Sequence, residues 1–208
     1  VLNILFKELE LGNFREDFWQ QLFENIPEST TIEEKLIVAN AIFLLPSEVI
    51  FNCRFSLSRW IDETLVNTCI SNHGLFWKVW DYVFNSLNTI GPDATKSSIG
   101  EVKRGGKVIN VSRKTLDYAL NSPIGRLVYS LFSTFNAWKL DTKIYRKNYL
   151  SRFELALNSV GEGADHAAVM IAYRFNFIFY HYKQWTEFNL IPLLNIDNPV
   201  SESVWHGI

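Results

Sequence analysis

The sequence predicts an all-α fold: antiparallel helix pairs in a degenerate, HEAT-like helical repeat, with one small β-hairpin flap near residues 99–111. Three observations carry this expectation. Apolar residues return at i, i+3, i+4, i+7 spacing along most of the chain, which sets one apolar stripe on each helix. Residues Leu116 to Trp138 join two such patterns through the corner Asn121-Ser122-Pro123. Aromatic residues make up 15% of the chain and hydrophobic residues 48%, enough to fill interhelical layers with large rings and far above the level of a disordered chain.

The elements follow in order. Thr31-Ile-Glu-Glu34 reads as a capping box, with Thr31 as N-cap and Glu34 three residues on, opening a helix that runs to about Leu44 before Pro46. Ser47 then caps a short helix. Leu57, Trp60, Ile61, Thr64, Leu65 and Thr68 form one apolar face, and Phe76, Val79, Trp80, Val83, Phe84 and Leu87 form another. The connection Asn72-His73-Gly74 is short enough to make these two helices antiparallel neighbours. The same logic gives helices through Ile124, Leu127, Val128, Leu131, Phe135 and Trp138, and through Phe175, Ile178, Phe179, Tyr182 and Trp185. No exact repeat of fixed period is present, and a closed helical bundle is the alternative arrangement.

The corner is the most closely specified site. Ser122 suits the N-cap because its hydroxyl accepts from a free backbone N–H, and Pro123 suits the first helical position, where a missing N–H costs nothing. Gly125 and Arg126 complete it. A cation in the first turn opposes the helix dipole by about 0.3–1 kcal/mol, so Arg126 is expected to be tethered to a carboxylate or to carbonyls of the preceding helix.

Residues Ile99 to Val111 depart from the helical pattern. β-branched residues flank Gly105-Gly106, a hairpin signature, and the segment 91–114 reads as an insertion. Lys96, Lys103, Arg104, Lys107, Arg113 and Lys114 stand here against Asp93 and Glu101. Lys103, Arg104, Lys107, Arg113 and Lys114 are the candidate partner-binding residues. They read either as a contact for an acidic partner or a phosphate backbone, or as a solvated loop kept soluble by charge. No aromatic residue is interleaved, so a single-strand stacking platform is disfavoured, and a net charge of −2 argues against nucleic-acid binding by the whole domain.

Catalytic patterns are sparse. Gly161-Glu-Gly163-Ala-Asp-His166 lacks the third glycine of a dinucleotide fingerprint and follows a helical pattern, so it reads as a turn and a new helix capped by Asp165. His73, His166, His181 and His206 lack metal-ligand spacing, and no catalytic, cofactor or metal residue is assigned. An enzyme of unfamiliar type would need polar groups converging on Arg126, Asp165 or His181. Cys53 and Cys69 read as buried small hydrophobes, and with no membrane span or signal segment the expected setting is cytoplasmic. The chain starts at Val1 and ends in mid-pattern at Ile208, as expected of a single helical domain or solenoid fragment, 1–208, excised from a longer protein.

The run Ala119-Leu-Asn-Ser-Pro-Ile-Gly-Arg-Leu127, followed by an apolar helix and by Val204-Trp-His-Gly-Ile208 opening another, resembles the C-terminal helical region of defence-associated sirtuins. These are large bacterial anti-phage proteins with a sirtuin-type NAD-consuming module at the N-terminus. The resemblance covers those two motifs, and elsewhere the agreement is in helical character alone. It implies a non-catalytic sensor or regulatory domain that controls NAD+ hydrolysis elsewhere in the parent chain. The implied partners are a phage structural protein as trigger, the sirtuin-type module itself, and further copies in a homo-oligomer of the parent. A structural helical scaffold or oligomerisation module is the alternative reading.

Overall fold

The computed structural model describes residues 7–9, 11–139 and 143–208. The fold is mostly α, with a single two-stranded antiparallel hairpin among these residues. The first helices are α1 (Glu16–Glu24), α2 (Ile32–Ala41), α3 (Ser47–Asn52) and α4 (Arg54–Trp60). A π turn, Ile61–Leu65, leads into the short α5 (Val66–Thr68), and then comes the long α6 (His73–Ile90). The hairpin, β1 (Val102–Arg104) and β2 (Lys107–Ile109), precedes α7 (Leu116–Leu120) and α8 (Pro123–Trp138). The chain closes with α9 (Arg146–Leu157), α10 (Gly163–Tyr173), α11 (Phe175–Asn189) and α12 (Ser201–Gly207).

The capping box is complete. The Glu34 amide donates to Thr31 Oγ1 at 3.2 Å and the Thr31 amide donates to Glu34 Oε2 at 2.9 Å, so two free donors of the first turn are satisfied reciprocally. A 3₁₀ turn, Ile42–Leu44, ends this helix before Pro46. Ser47 proves to be the first helical residue rather than a cap, with Pro46 in the cap position and no side-chain cap bond. Asn72, His73 and Gly74 are likewise not a connecting turn. Asn72 is the N-cap of α6, its side chain accepting from the Leu75 amide, and His73 and Gly74 belong to the helix.

The apolar stripe of α6 is buried throughout, from Phe76 to Leu87. In the stretch 54–68 the π turn widens the helix, so Asp62 and Val66, which lie off the stripe, are buried while Thr64 is half-buried. On α8 the residues the spacing gives face inward, with Phe135 half-buried, and Ser130, Phe132 and Thr134 are buried beside them. Helix α11 is kinked at Tyr182 (φ −135°, ψ 45°). Ile178, Tyr182 and Trp185 still face inward, whereas Phe175 and Phe179 are half-buried.

One contiguous core joins α1 to α12. Tryptophans span its layers and use their polar edge as well: Trp80 Nε1 donates to the Leu127 carbonyl at 2.8 Å, and Trp138 Nε1 to the Val66 carbonyl at 2.6 Å. Helix α10 lies at the centre of the C-terminal half. Its residues His166 to Ala172 are all buried, and α7, α8, α9 and α12 pack around it. A helix whose residues 166–172 are all buried is one that its neighbours enclose over most of its surface. Helix α10 is thus enclosed by helices one to three places away from it in chain order.

No helix among the described residues is long and apolar enough to cross a membrane.

Candidate functional site

The corner between α7 and α8 is closed by short-range bonds. Ser122 Oγ accepts from the Gly125 amide at 2.9 Å and donates to the Ala119 carbonyl at 3.0 Å, and Pro123 occupies the first helical position. A Cβ on Gly125 would fall on the Ala119 carbonyl oxygen, so only glycine permits this approach of the two helices. Arg126 makes both of the expected tethers. Its Nε donates to the Leu120 carbonyl at 2.9 Å, and Nη1 lies 3.4 Å from Asp62 Oδ2 on the π turn. Asp62 also accepts from Ser133 Oγ at 2.6 Å. Burial pushes the Asp62 carboxyl above its ordinary value, and Ser133 and Arg126 offset this only in part. The corner is thus an architectural joint whose polar groups are turned on one another.

The hairpin stands next to it. Gly105 and Gly106 both have positive φ (57° and 77°), the backbone a tight two-residue turn requires. The register pairs Val102 with Ile109, Lys103 with Val108 and Arg104 with Lys107. Below the strands the chain is clamped to the helical body. Arg113 Nε donates to Glu162 Oε1 at 2.6 Å and its Nη2 to Glu162 Oε2 at 3.1 Å, while Nη1 reaches back to the Ile99 carbonyl at 3.0 Å. One guanidinium therefore ties the two ends of the insertion to each other and to the start of α10, with its face over the Tyr118 ring at 4.8 Å.

The rest of the clamp adds to this. The Ser97 amide donates to Glu162 Oε2, and the Ser98 amide to the Asn121 carbonyl of the corner. Lys114 Nζ lies 3.3 Å from Asp165 and 3.9 Å from Glu202, and donates to the Pro199 carbonyl. His166, fully buried, approaches the Arg113 carbonyl with Nε2 at 3.2 Å, so that nitrogen carries the proton. Burial lowers the His166 pKa, with the nearby Glu162 carboxylate offsetting part of the effect. For Glu162, burial would raise the pKa, but the Arg113 hydrogen bonds and the Ser97 amide outweigh it and the carboxyl falls below its ordinary value.

Of the five basic candidates, then, the structure separates two from three. Arg113 and Lys114 hold the base of the flap against carboxylates of α10 and α12. Lys103, Arg104 and Lys107 are exposed on the strands and form no ion pair among the described residues. Lys96 pairs with Asp93 at 2.6 Å.

Two clefts flank the stem. One of about 440 Å³ is lined by Arg113, Lys114, Glu162, Asp165, His166 and Glu202 with Asn110 to Ser112. The other, about 370 Å³, is lined by Val102, Val108, Ile109, Val111, Arg113 and Tyr118 with Gly100, Glu101 and Asn110. The first is the polar convergence around Asp165 that an enzyme reading calls for, and it brings Glu162, Asp165 and His166, which the sequence offers as a possible acid-base cluster, into one lining. Glu162 and Asp165 accept from or pair with cations, and Ser203 Oγ donates to Asp165 at 2.7 Å. Both carboxylates thus join the base of the flap and α12 to the start of α10. Asp165 is also not the cap of α10, which begins at Gly163 with Glu162 in the cap position.

The other histidines lie apart. His73 stacks on Trp138 and meets Tyr145, His181 lies among Phe177, Tyr180 and Tyr182, and His206 is 3.9 Å from Glu202. Among the described residues no group of three His, Cys, Asp or Glu side chains comes together to hold a metal ion. Cys53 and Cys69 are buried free thiols, pushed up to about 12 and about 11 by burial, which leaves them protonated and inert.

Comparison with protein-family models, with curated proteins and with solved structures gives no significant match to this chain.

Proposed function

We propose that this chain is a non-catalytic sensor or regulatory domain that recognises another protein through its hairpin, and that its parent is an anti-phage protein whose NAD-hydrolysing, sirtuin-type module it controls. The observation that carries the recognition part is the division among the five basic residues: two are spent on mounting the flap, and three are displayed beyond it with no ion-pair partner among the described residues. A flap kept only for solubility needs no such mount. The defence context rests on the resemblance at Ala119 to Leu127 and at Trp205 to Gly207. On this reading the trigger is a phage structural protein, sensed in the cytoplasm of the infected cell by a homo-oligomer of the parent.

The test is NAD+ loss in cells infected by a phage panel, comparing the full-length parent, a version lacking this segment, and the triple variant Lys103→Gln, Arg104→Gln, Lys107→Gln. Loss that requires both infection and the displayed cations is the expected result. Unchanged NAD+ in every version, with phages against which the parent protects, would refute the sirtuin link.

A scaffold or oligomerisation role has its own support in the exposed apolar residues of the C-terminal region. Tyr180, Phe188, Ile196 and Trp205 are each more than half exposed, an arrangement suited to a protein contact. Concentration-dependent sedimentation of the isolated chain, abolished by Tyr180→Ser with Phe188→Ser, would favour that role.

A further inference from the structure

The geometry points to the free edge of β2 as a docking site for an extended, acidic segment of a partner protein, which adds to the hairpin as a third strand. The inference rests on the hairpin being the recognition element and goes on to name what it takes.

The register determines which backbone groups are available. Arg104 and Lys107 flank the two-residue turn and pair with each other, as do Val102 and Ile109 at the base. In an antiparallel pair, hydrogen-bonded and non-hydrogen-bonded positions alternate, so the intervening pair, Lys103 and Val108, directs its N–H and C=O groups outward, one set on each edge. Beyond Ile109, Asn110 and Val111 make no backbone hydrogen bond to any other segment among the described residues. The β2 side therefore offers unpaired backbone at Val108, Asn110 and Val111, all of it exposed. Such an edge is what strand addition uses.

Charge selects the occupant, and the unpaired backbone beyond Ile109 selects the edge. Glu101 lies at the start of the β1 side and would repel an acidic strand there, whereas Lys107 to Val111 contains no acid. Lys103 shares a face with Val108, and Arg104 shares one with Lys107 across the hairpin, so the unpaired cations lie within reach of a strand laid along β2. The adjoining cleft of about 370 Å³, with Val108, Ile109, Val111 and Tyr118 in its lining, accepts apolar side chains from alternate positions of that strand. The partner segment thus carries acidic residues interspersed with β-branched or aromatic ones at period two.

The test is a display selection of random heptapeptides against the whole chain, counter-selected on the Lys103→Gln, Arg104→Gln, Lys107→Gln variant. The expected result is enrichment of peptides with acidic and apolar residues in alternation. A selected peptide, synthesised and titrated by fluorescence anisotropy, loses tenfold or more in affinity when alternate amides are N-methylated, and much less when the intervening ones are. Val108→Pro, which removes the outward N–H from β2 and leaves the paired residues intact, weakens binding to a similar degree. Circular dichroism confirms that this variant is folded.

Enrichment without the alternating acidic pattern, or equal tolerance to N-methylation at every position, would overturn the strand-addition inference. So would no enrichment at all. If the triple variant at the same time abolishes the infection response, recognition through the hairpin stands and only its mode is wrong. Peptide binding as expected with no role in infection would instead refute the sensor function and leave the docking site.

Discussion

The corner and the clamp each join distant parts of the chain through an arginine and a carboxylate, yet they are built on different forces. At the corner, Arg126 and Asp62 meet at 3.4 Å, and burial holds the Asp62 carboxyl above its ordinary value. The pair is therefore poorly compensated, and the joint depends on the Ser122 cap and the contact of Gly125 with the Ala119 carbonyl. At the clamp, Arg113 grips Glu162 with two hydrogen bonds and holds its carboxyl below the ordinary value. There the charges are the structure. The difference shows how one fold fixes its body by close packing and holds an appendage by a partly exposed ion pair.

The largest effect that would break this comparison is expected at the corner. Gly125→Ala places a methyl group on a backbone oxygen, and should cost about 3 kcal/mol in denaturant unfolding as α8 is driven off α7. Arg126→Met should cost less, because Asp62 keeps Ser133 and the cap is untouched.

Arg113→Ala comes next, at about 1–2 kcal/mol. It removes a bidentate pair whose side chains are 35% and 24% exposed, so screening discounts the full Coulomb value. The loss should appear as a local opening of residues 97–114 with the helical melt little changed.

Acid should separate the two sites further. The depressed His166 pKa means stability is lost as pH falls from above 6.5, its ordinary value, through the lower folded value. The depressed Glu162 pKa adds a second loss as pH falls below 4.5. The raised Asp62 pKa has the opposite sign, its contribution being present at low pH and lost as pH rises through the folded value. Melts between pH 7 and pH 4 should therefore show the clamp loosening before the corner, with the first step absent in His166→Gln.

Asp62→Asn should shift stability by less than about 1 kcal/mol, since it relieves the burial of charge while keeping an acceptor for Ser133. The smallest effect belongs to the flap tip. Lys103→Gln, Arg104→Gln and Lys107→Gln together should leave the thermal midpoint within the roughly 0.5 kcal/mol equivalent typical of surface substitutions.

The two sites also differ in how far the sequence reveals them. The corner is local: Ser122, Pro123 and Gly125 lie within one turn, and each is specified by its own backbone requirement, so Ser122 as cap and the need of Arg126 for a carboxylate or carbonyl tether were legible, whereas Asp62 as the carboxylate, 64 residues away, was not. The hairpin was legible too, because Gly105-Gly106 between β-branched residues has few other solutions. The clamp was not, since Arg113 and Glu162 are far apart in sequence and neither carries a mark of its partner. The enclosure of α10 was missed for a related reason. Apolar periodicity shows that a helix has a buried face, but not how many neighbours it meets, and the short apolar run Ala167 to Ala172 has no polar face to contrast with, so its spacing does not show that it is covered on every side. The π turn at Ile61–Leu65 likewise leaves the spacing of large residues almost unchanged while burying Asp62.

The most direct measurement is residue-resolved hydrogen exchange of the parent chain and Arg113→Ala at pH 7. Release of the clamp should speed exchange of the paired hairpin amides by tenfold or more and leave α7, α8 and the centre of α10 at their original protection. Equal acceleration at the corner and the hairpin would contradict the account, as would unchanged exchange in the hairpin, because the flap would then not be held by the pair that mounts it here.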